Sequence, residues 1–286
     1  MLVFGGSQSA SLAWDVAKAA GAELGKSEVR GFPDGETYVR ILSGIKRRDC
    51  AYVQSIRSND DLVEALLSIE AIKDAGAHQV HAVLPYLAYM RQDKRFKDGE
   101  ALSAKTVLKM LHDVADSVAV VNCHFLNGAG QAVYNGINFM NLDAMPLLAK
   151  SMGDRVKSPL VVAPDKGSLS YAKEAAGILG CDFDHLSKKR LSGTEVAIKP
   201  KELNVKGMDV LIIDDIISTG GTIVEAVKVI KGWHPGSVSV GCVHGLFLNG
   251  VESFQGVADM LMATNTLNNP VDKVNVAGLI AQELKR

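Results

Sequence analysis

Short apolar runs rich in β-branched residues recur along the chain. Each is followed by a polar or glycine-rich stretch and then by a segment with helical spacing. The clearest runs are Val80–Leu84, Ser117–Val121 and residues 160–163, 210–213 and 238–243. They are apolar almost continuously, as strands covered on both faces are. Between them, Leu62, Leu66, Ile69 and Ile72 predict a helix over 61–75, with Asp60 or Asp61 placed to cap it. Ile223, Val227 and Ile230 predict another over 222–231, and Val276, Ile280 and Leu284 a last one over 273–286. Alternating β and α elements imply an α/β fold built on a mainly parallel sheet flanked by helices, with right-handed crossovers.

The 286 residues exceed a typical single domain. A boundary is expected near 140–158, where the pattern breaks at Pro146, Gly153 and Lys157-Ser158-Pro159 before a fresh strand. The halves, taken as 1–143 and 144–286, show no residue-level repeat. With 31 basic and 32 acidic residues there is no overall positive field to hold nucleic acid. Anions must be handled at local sites. Cys50, Cys123, Cys181 and Cys242 are far apart and form no CxxC pair, so they read as small buried or half-buried hydrophobes rather than a disulfide framework or zinc site. No run reaches the roughly 18 apolar residues of a membrane span, and the start MLVFGGS has no charged leader. A cytoplasmic location is expected.

The segment richest in chemistry spans 210–222. A buried strand ends at two adjacent carboxylates, Asp214 and Asp215, and a loop of Ser218, Thr219, Gly220, Gly221 and Thr222 then opens a helix. Ligands in open α/β sheets bind at the carboxyl ends of strands. A helix N-terminus offers free N–H groups and a positive partial charge, which suits a phosphate monoester. The glycines allow close approach of the backbone. Like charges keep Asp214 and Asp215 from being phosphate ligands; they suit sugar hydroxyls or a cation. A phosphate cradle beside a diol clamp describes a site for ribose 5-phosphate.

This segment resembles the phosphoribosyl-pyrophosphate motif of the phosphoribosyltransferase superfamily. That motif leaves open whether the pyrophosphate ester is consumed or made. Further segments resemble the ribose-phosphate pyrophosphokinases (phosphoribosyl pyrophosphate synthetases), in their archaeal form. Phe32-Pro33-Asp34-Gly35-Glu36 is similar to the family's first ATP-site segment, which implies ATP contacts by Phe32, Asp34, Gly35 and Glu36. Pro85 to Arg95 is similar to the second, which implies nucleotide contacts by Arg91 and Gln92. Asn122-Cys123-His124 falls where the family has a metal-binding histidine, here His124, although Asn122 replaces the usual aspartate. Pro164-Asp165-Lys166-Gly167 resembles the family's Pro-Asp-x-Gly segment and implies Asp165 as an oxygen ligand for Mg²⁺. Lys188-Lys189-Arg190 resembles the family's catalytic loop. It implies Lys188 as catalytic residue and Arg190 as a contact to the reacting phosphates and to ribose 5-phosphate.

The resemblance runs through the whole chain with its segments in family order. It implies two similar phosphoribosyltransferase-type domains, the ATP-site segments in the first and the ribose 5-phosphate site in the second. It also implies a last helix returning to the first domain, and a homo-oligomer. The implied activity is diphosphate transfer from Mg-ATP to ribose 5-phosphate. There is no GxxxxGK[ST] loop and no kinase glycine-rich loop. Two rivals remain. A phosphoribosyltransferase would share the 214–222 loop but need no ATP site. A catalytically silent regulatory subunit would bind nucleotide without turnover.

Overall fold

The computed structural model describes residues 1–190, 196–199 and 204–286, with backbone alone for 187–190 and 196–199. The chain forms two compact units. One comprises Met1–Asp143, Thr266–Asn268 and Val276–Arg286; the other comprises Ala144–Asn265 and Asn269–Asn275.

The first unit contains β1 (Leu2–Gly5), α1 (Ala10–Ala20), β2 (Glu23–Leu24), β3 (Ser27–Gly31), β4 (Thr37–Ile41), β5 (Cys50–Val53), α2 (Asn59–Asp74), β6 (Val80–Leu84), α3 (Ser103–Val114), β7 (Ser117–Val121), β8 (Gly130–Tyr134) and β9 (Ile137–Leu142). Its sheet runs β2-β1-β5-β6-β7-β9-β8. All neighbours are parallel except β8, which returns antiparallel beside β9. Strands β3 and β4 form a separate antiparallel hairpin. The sheet switches direction of growth between β1 and β5.

One face of this sheet packs Phe4, Tyr52 and Leu84 against Ile69 of α2 and Leu108 and Leu111 of α3. Burying a side chain of this kind stabilises by about 1.5–3 kcal/mol. On the other face Val3, Ala51 and Val53 lie buried beneath α1. Helix α2 is capped by Ser58 rather than by Asp60 or Asp61. The Ser58 hydroxyl accepts from Asp61 N, and the Asp61 carboxylate accepts from Ser58 N at 2.9 Å. Asp61 is thus the N3 partner of a capping box.

The second unit contains α4 (Met145–Gly153), β10 (Pro159–Ala163), α5 (Leu169–Leu179), β11 (Phe183–His185), β12 (Ser187–Arg190), β13 (Val196–Lys199), β14 (Asp209–Ile217), α6 (Gly221–Lys231), β15 (Ser237–Gly245), β16 (Met260–Thr264) and β17 (Asp272–Val274). Its sheet is parallel throughout, in the order β11-β10-β14-β15-β16-β17, and switches between β10 and β14. Helix α6 covers one face through Ile223, Val227 and Ile230, while α4 and α5 pack the other. Strands β12 and β13 pair antiparallel apart from the sheet.

Two elements differ from the sequence reading. Residues 273–286 are not one helix: β17 takes the start, and helix α7 spans only Ala277–Glu283, packing against α1 in the first unit. Strand β14 runs on through Asp214 and Asp215 to Ile217, because β15 extends beside it and keeps pairing as far as Ile217↔Gly245. Cys50, Cys123 and Cys242 are buried, Cys181 is half-buried, and all four are free. No helix among the described residues is long and apolar enough to cross a membrane.

Candidate active site

In the second unit the carboxyl ends of β10 and β14 meet at the sheet's switch point, the usual ligand crevice of an open α/β sheet. Asp214 and Asp215 sit in the last stretch of β14. Asp214 Oδ1 accepts from Ser168 Oγ at 2.7 Å and from Asp215 N at 2.9 Å. Asp215 is buried; Oδ1 accepts from Ile216 N at 2.9 Å and Oδ2 from the Tyr171 hydroxyl at 3.4 Å. Burial and the neighbouring Asp215 carboxylate push the Asp214 carboxyl up to about 7. Cys242, opposite Asp214 in register, stays a neutral thiol because burial pushes its pKa up.

The loop Ser218–Thr219–Gly220 leads into α6, with Gly220 at the N-cap in a left-handed conformation, φ 83°. A Cβ at Gly220 would lie 2.8 Å from the Phe254 ring, which packs under the loop; one at Gly221 would meet nothing within 4 Å. Phe254 is held edge-on by Phe247, and Leu248 N donates to Ser218 O at 2.9 Å. Among the described residues none accepts from the amides of Ser218 to Gly221, so they remain available to an anion.

Asp165 follows β10. Its Oδ1 accepts from Gly167 N at 2.9 Å and Ser168 N at 3.3 Å, which orients the carboxylate at the head of α5. As a hard oxygen donor it fits Mg²⁺, which takes few protein ligands and keeps several waters. Of Lys188 and Arg190 only the backbone, in β12, is described; the continuation 191–195 lies outside the described residues.

In the first unit His124 is half-buried in the loop after β7. Asn122, the departure from the family pattern, has a left-handed φ of 42° and donates from Nδ2 to Asp143 Oδ1 at 2.8 Å. An aspartate there would face a second carboxylate, and asparagine tolerates this backbone better than most residues.

Phe32, Asp34, Gly35 and Glu36 form the exposed tip of the β3–β4 hairpin. Phe32 N donates to Glu36 O at 2.7 Å and Glu36 N to Asp34 Oδ1 at 3.2 Å. The Arg30 guanidinium lies 5.0 Å from the Phe32 ring and 4.2 Å from that of Tyr38. Arg91 is exposed and, among the described residues, pairs with no carboxylate. Gln92 Nε2 donates to Lys94 O and Glu100 Oε2, both at 3.2 Å. Glu100 also accepts from Phe96 N and Lys97 N, bonds that hold its carboxyl below the usual range. Among the described residues no hydrogen bond joins the hairpin tip to Arg91 or Gln92.

Sequence reasoning missed Ser168 and Tyr171, which hold the two carboxylates, Phe254, which floors the loop, and Glu100, which organises the Arg91 segment. Ser168 and Asp214 are 46 residues apart, and nothing local in either segment marks the pair.

A parallel sheet with paired carboxylates and an amide-lined helix start at its switch point defines a phosphoribosyltransferase-type domain, and residues 140–248 match the phosphoribosyl transferase domain model. Residues 1–114 match the N-terminal domain of ribose phosphate pyrophosphokinase. The chain is 39% identical to ribose-phosphate pyrophosphokinase 2 of Archaeoglobus fulgidus over 275 residues, covering 96% of each. It is 38% identical to the ribose-phosphate pyrophosphokinase of Methanothermobacter thermautotrophicus over 289 residues, 99% of this chain and 100% of that one. The crystal structure of phosphoribosylpyrophosphate synthetase from Mycobacterium smegmatis superposes with a TM-score of 0.84 at 26% identity, covering 99% of this chain and 97% of that one. The chain belongs to the ribose-phosphate pyrophosphokinase family.

Proposed function

We propose that this chain transfers the diphosphate group of ATP to ribose 5-phosphate, releasing AMP and 5-phospho-α-D-ribose 1-diphosphate. The ribose 1-hydroxyl attacks the β-phosphorus in line; the bond from that phosphorus to the α-phosphate oxygen breaks, and the hydroxyl proton is lost. Catalysis of this kind is chiefly positioning and electrostatic stabilisation. The observation that carries the reading is the pairing of Asp214 and Asp215 with the free amides of Ser218 to Gly221 at one strand end.

In this reading the 5-phosphate takes the amides and hydroxyls of Ser218, Thr219, Gly220, Gly221 and Thr222. Asp214 and Asp215 accept from the ribose hydroxyls. Phe32, Asp34, Gly35, Glu36, Arg91 and Gln92 bind ATP, with the exposed Arg91 guanidinium suited to phosphate oxygens. Lys188 and Arg190 stabilise charge on the transferring group. Asp165 would hold Mg²⁺, which when bound neutralises charge on the phosphate oxygens, and His124 is the proposed metal ligand of the first unit. We further propose a homo-oligomer, supported by the exposed apolar pair Val63 and Leu67, one turn apart on α2.

The test is incubation with ATP, ribose 5-phosphate and Mg²⁺, following the nucleotide products. AMP formed only when sugar phosphate and metal are both present is the expected result. ADP would mean an ordinary kinase, and no turnover with ATP still bound would mean a silent regulatory subunit.

A further inference from the structure

Ser168 stands at the N-cap of α5, where a serine hydroxyl ordinarily accepts from an amide of the first helical turn. Here it makes no such bond. Instead Oγ donates to Asp214 Oδ1 at 2.7 Å, reaching from the β10–α5 loop to β14. The loop's own amides are served by Asp165, whose Oδ1 accepts from Gly167 N and Ser168 N. Ser168 is only 6% exposed, so this hydroxyl does not exchange its partner for bulk water.

We propose that Ser168 is a positioning residue for ribose 5-phosphate, fixing the Asp214 carboxylate so that it can accept from a ribose hydroxyl. Two donors, Ser168 Oγ and Asp215 N, converge on Asp214 Oδ1. That sets the plane of the carboxylate, which also hydrogen-bonds the Asp215 side chain, and its remaining lone pairs face the ligand hydroxyl in this reading. Burial and Asp215 both disfavour charge on Asp214, and the Ser168 hydrogen bond acts against them. One turn further along α5, Tyr171 donates to Asp215 Oδ2. Positions three apart lie on one helix face, so a single turn of α5 steadies both carboxylates. The same turn follows directly on Asp165, which ties the ribose clamp to the segment proposed to hold the metal.

This inference rests on the reading of Asp214 as a ribose ligand, and the experiment separates the two. Ser168→Ala, Ser168→Thr and Asp214→Asn are made in the full chain, and KM for each substrate, kcat and thermal midpoint are measured. Removing a hydrogen bond to a charged group should raise the KM for ribose 5-phosphate about tenfold in Ser168→Ala. Its KM for ATP should hardly move, because the hydroxyl is engaged with Asp214. Ser168→Thr, which keeps the hydroxyl, should restore the ribose 5-phosphate KM. An unchanged KM in Ser168→Ala, with a raised one in Asp214→Asn, would overturn the inference and leave the Asp214 reading standing. An unchanged KM in Asp214→Asn would overturn both. Loss of affinity for both substrates together with a lowered thermal midpoint would reduce Ser168 to a structural residue.

Discussion

At the scale of single residues the site is governed by where charge is tolerated. Asp214 carries its carboxyl up to about 7 because burial and Asp215 disfavour its ionisation. The folded chain therefore keeps a proton that the unfolded chain releases from about pH 4 upward. Its contribution to stability is full below that range and falls as pH rises towards 7. Asp214→Asn removes this titration, so denaturation at pH 5 and pH 7.5 should show the wild type losing several degrees against the variant at the higher pH. Lys188 acts on the transition state in the proposed mechanism rather than on bound substrate. Lys188→Ala should lower kcat about 10²- to 10³-fold with both KM values nearly unchanged. Weakened binding at normal turnover, read from full kinetic profiles, would remove Lys188 from the chemistry.

At the scale of elements the phosphate loop depends on what lies beneath it. Gly220 caps α6 with φ 83°, and Phe254 fills the space a side chain would need, 2.8 Å from an added Cβ. Gly220→Ala combines a left-handed backbone penalty with that clash. It should cost about 1–3 kcal/mol of stability and raise the KM for ribose 5-phosphate. Gly221→Ala meets nothing within 4 Å and serves as the comparison, with thermal melts and kinetics run together. The chain register also matters. Because β15 continues beside β14 as far as Gly245, the carboxylates stay in a paired strand and their backbones are held by the sheet.

At the scale of the whole molecule each unit has its own switch point, where two loops meet. In the first unit, at β1 and β5, the loop into α1 is already occupied by the protein's own side chains. Glu64 accepts from Ser7 N at 2.8 Å, from Ser7 Oγ at 2.5 Å and from the buried Tyr52 hydroxyl at 3.3 Å, while Gln54 Oε1 accepts from Gln8 N at 3.1 Å. A carboxylate sits where an anionic ligand would otherwise find amides. In the second unit the β10–α5 loop is likewise served by a carboxylate, Asp165, and it is the other loop at the switch point, from β14 into α6, whose amides of Ser218 to Gly221 take no acceptor among the described residues. Glu64→Ala should cost about 1–3 kcal/mol, since it strands the Tyr52 hydroxyl in the core. It should leave the KM for ribose 5-phosphate near its normal value. A large change in that KM would mean that the first unit's loop takes part in sugar phosphate binding.

Much of the architecture was legible in the chain. The runs Val80–Leu84 and Ser117–Val121 are apolar almost throughout because sheets covered on both faces bury both sides of a strand. The 214–222 segment announced itself because carboxylates, small hydroxyl residues and glycines lie next to one another in sequence. Local competition was less legible. Ser58 takes the cap that Asp60 or Asp61 could also fill, because its hydroxyl and the Asp61 carboxylate satisfy two amides reciprocally. Residues 273–276 leave the helical pattern because β17 finds a partner strand in β16. By itself the sequence determined the alternation of strands and helices and the local chemistry of each loop, since periodicity and adjacency are written along one dimension. Only the tertiary structure decided that Ser168 meets Asp214, that Phe254 supports Gly220 and that Glu64 closes the first unit's loop. Those contacts join residues dozens of positions apart, and their partners are chosen by sheet order and packing.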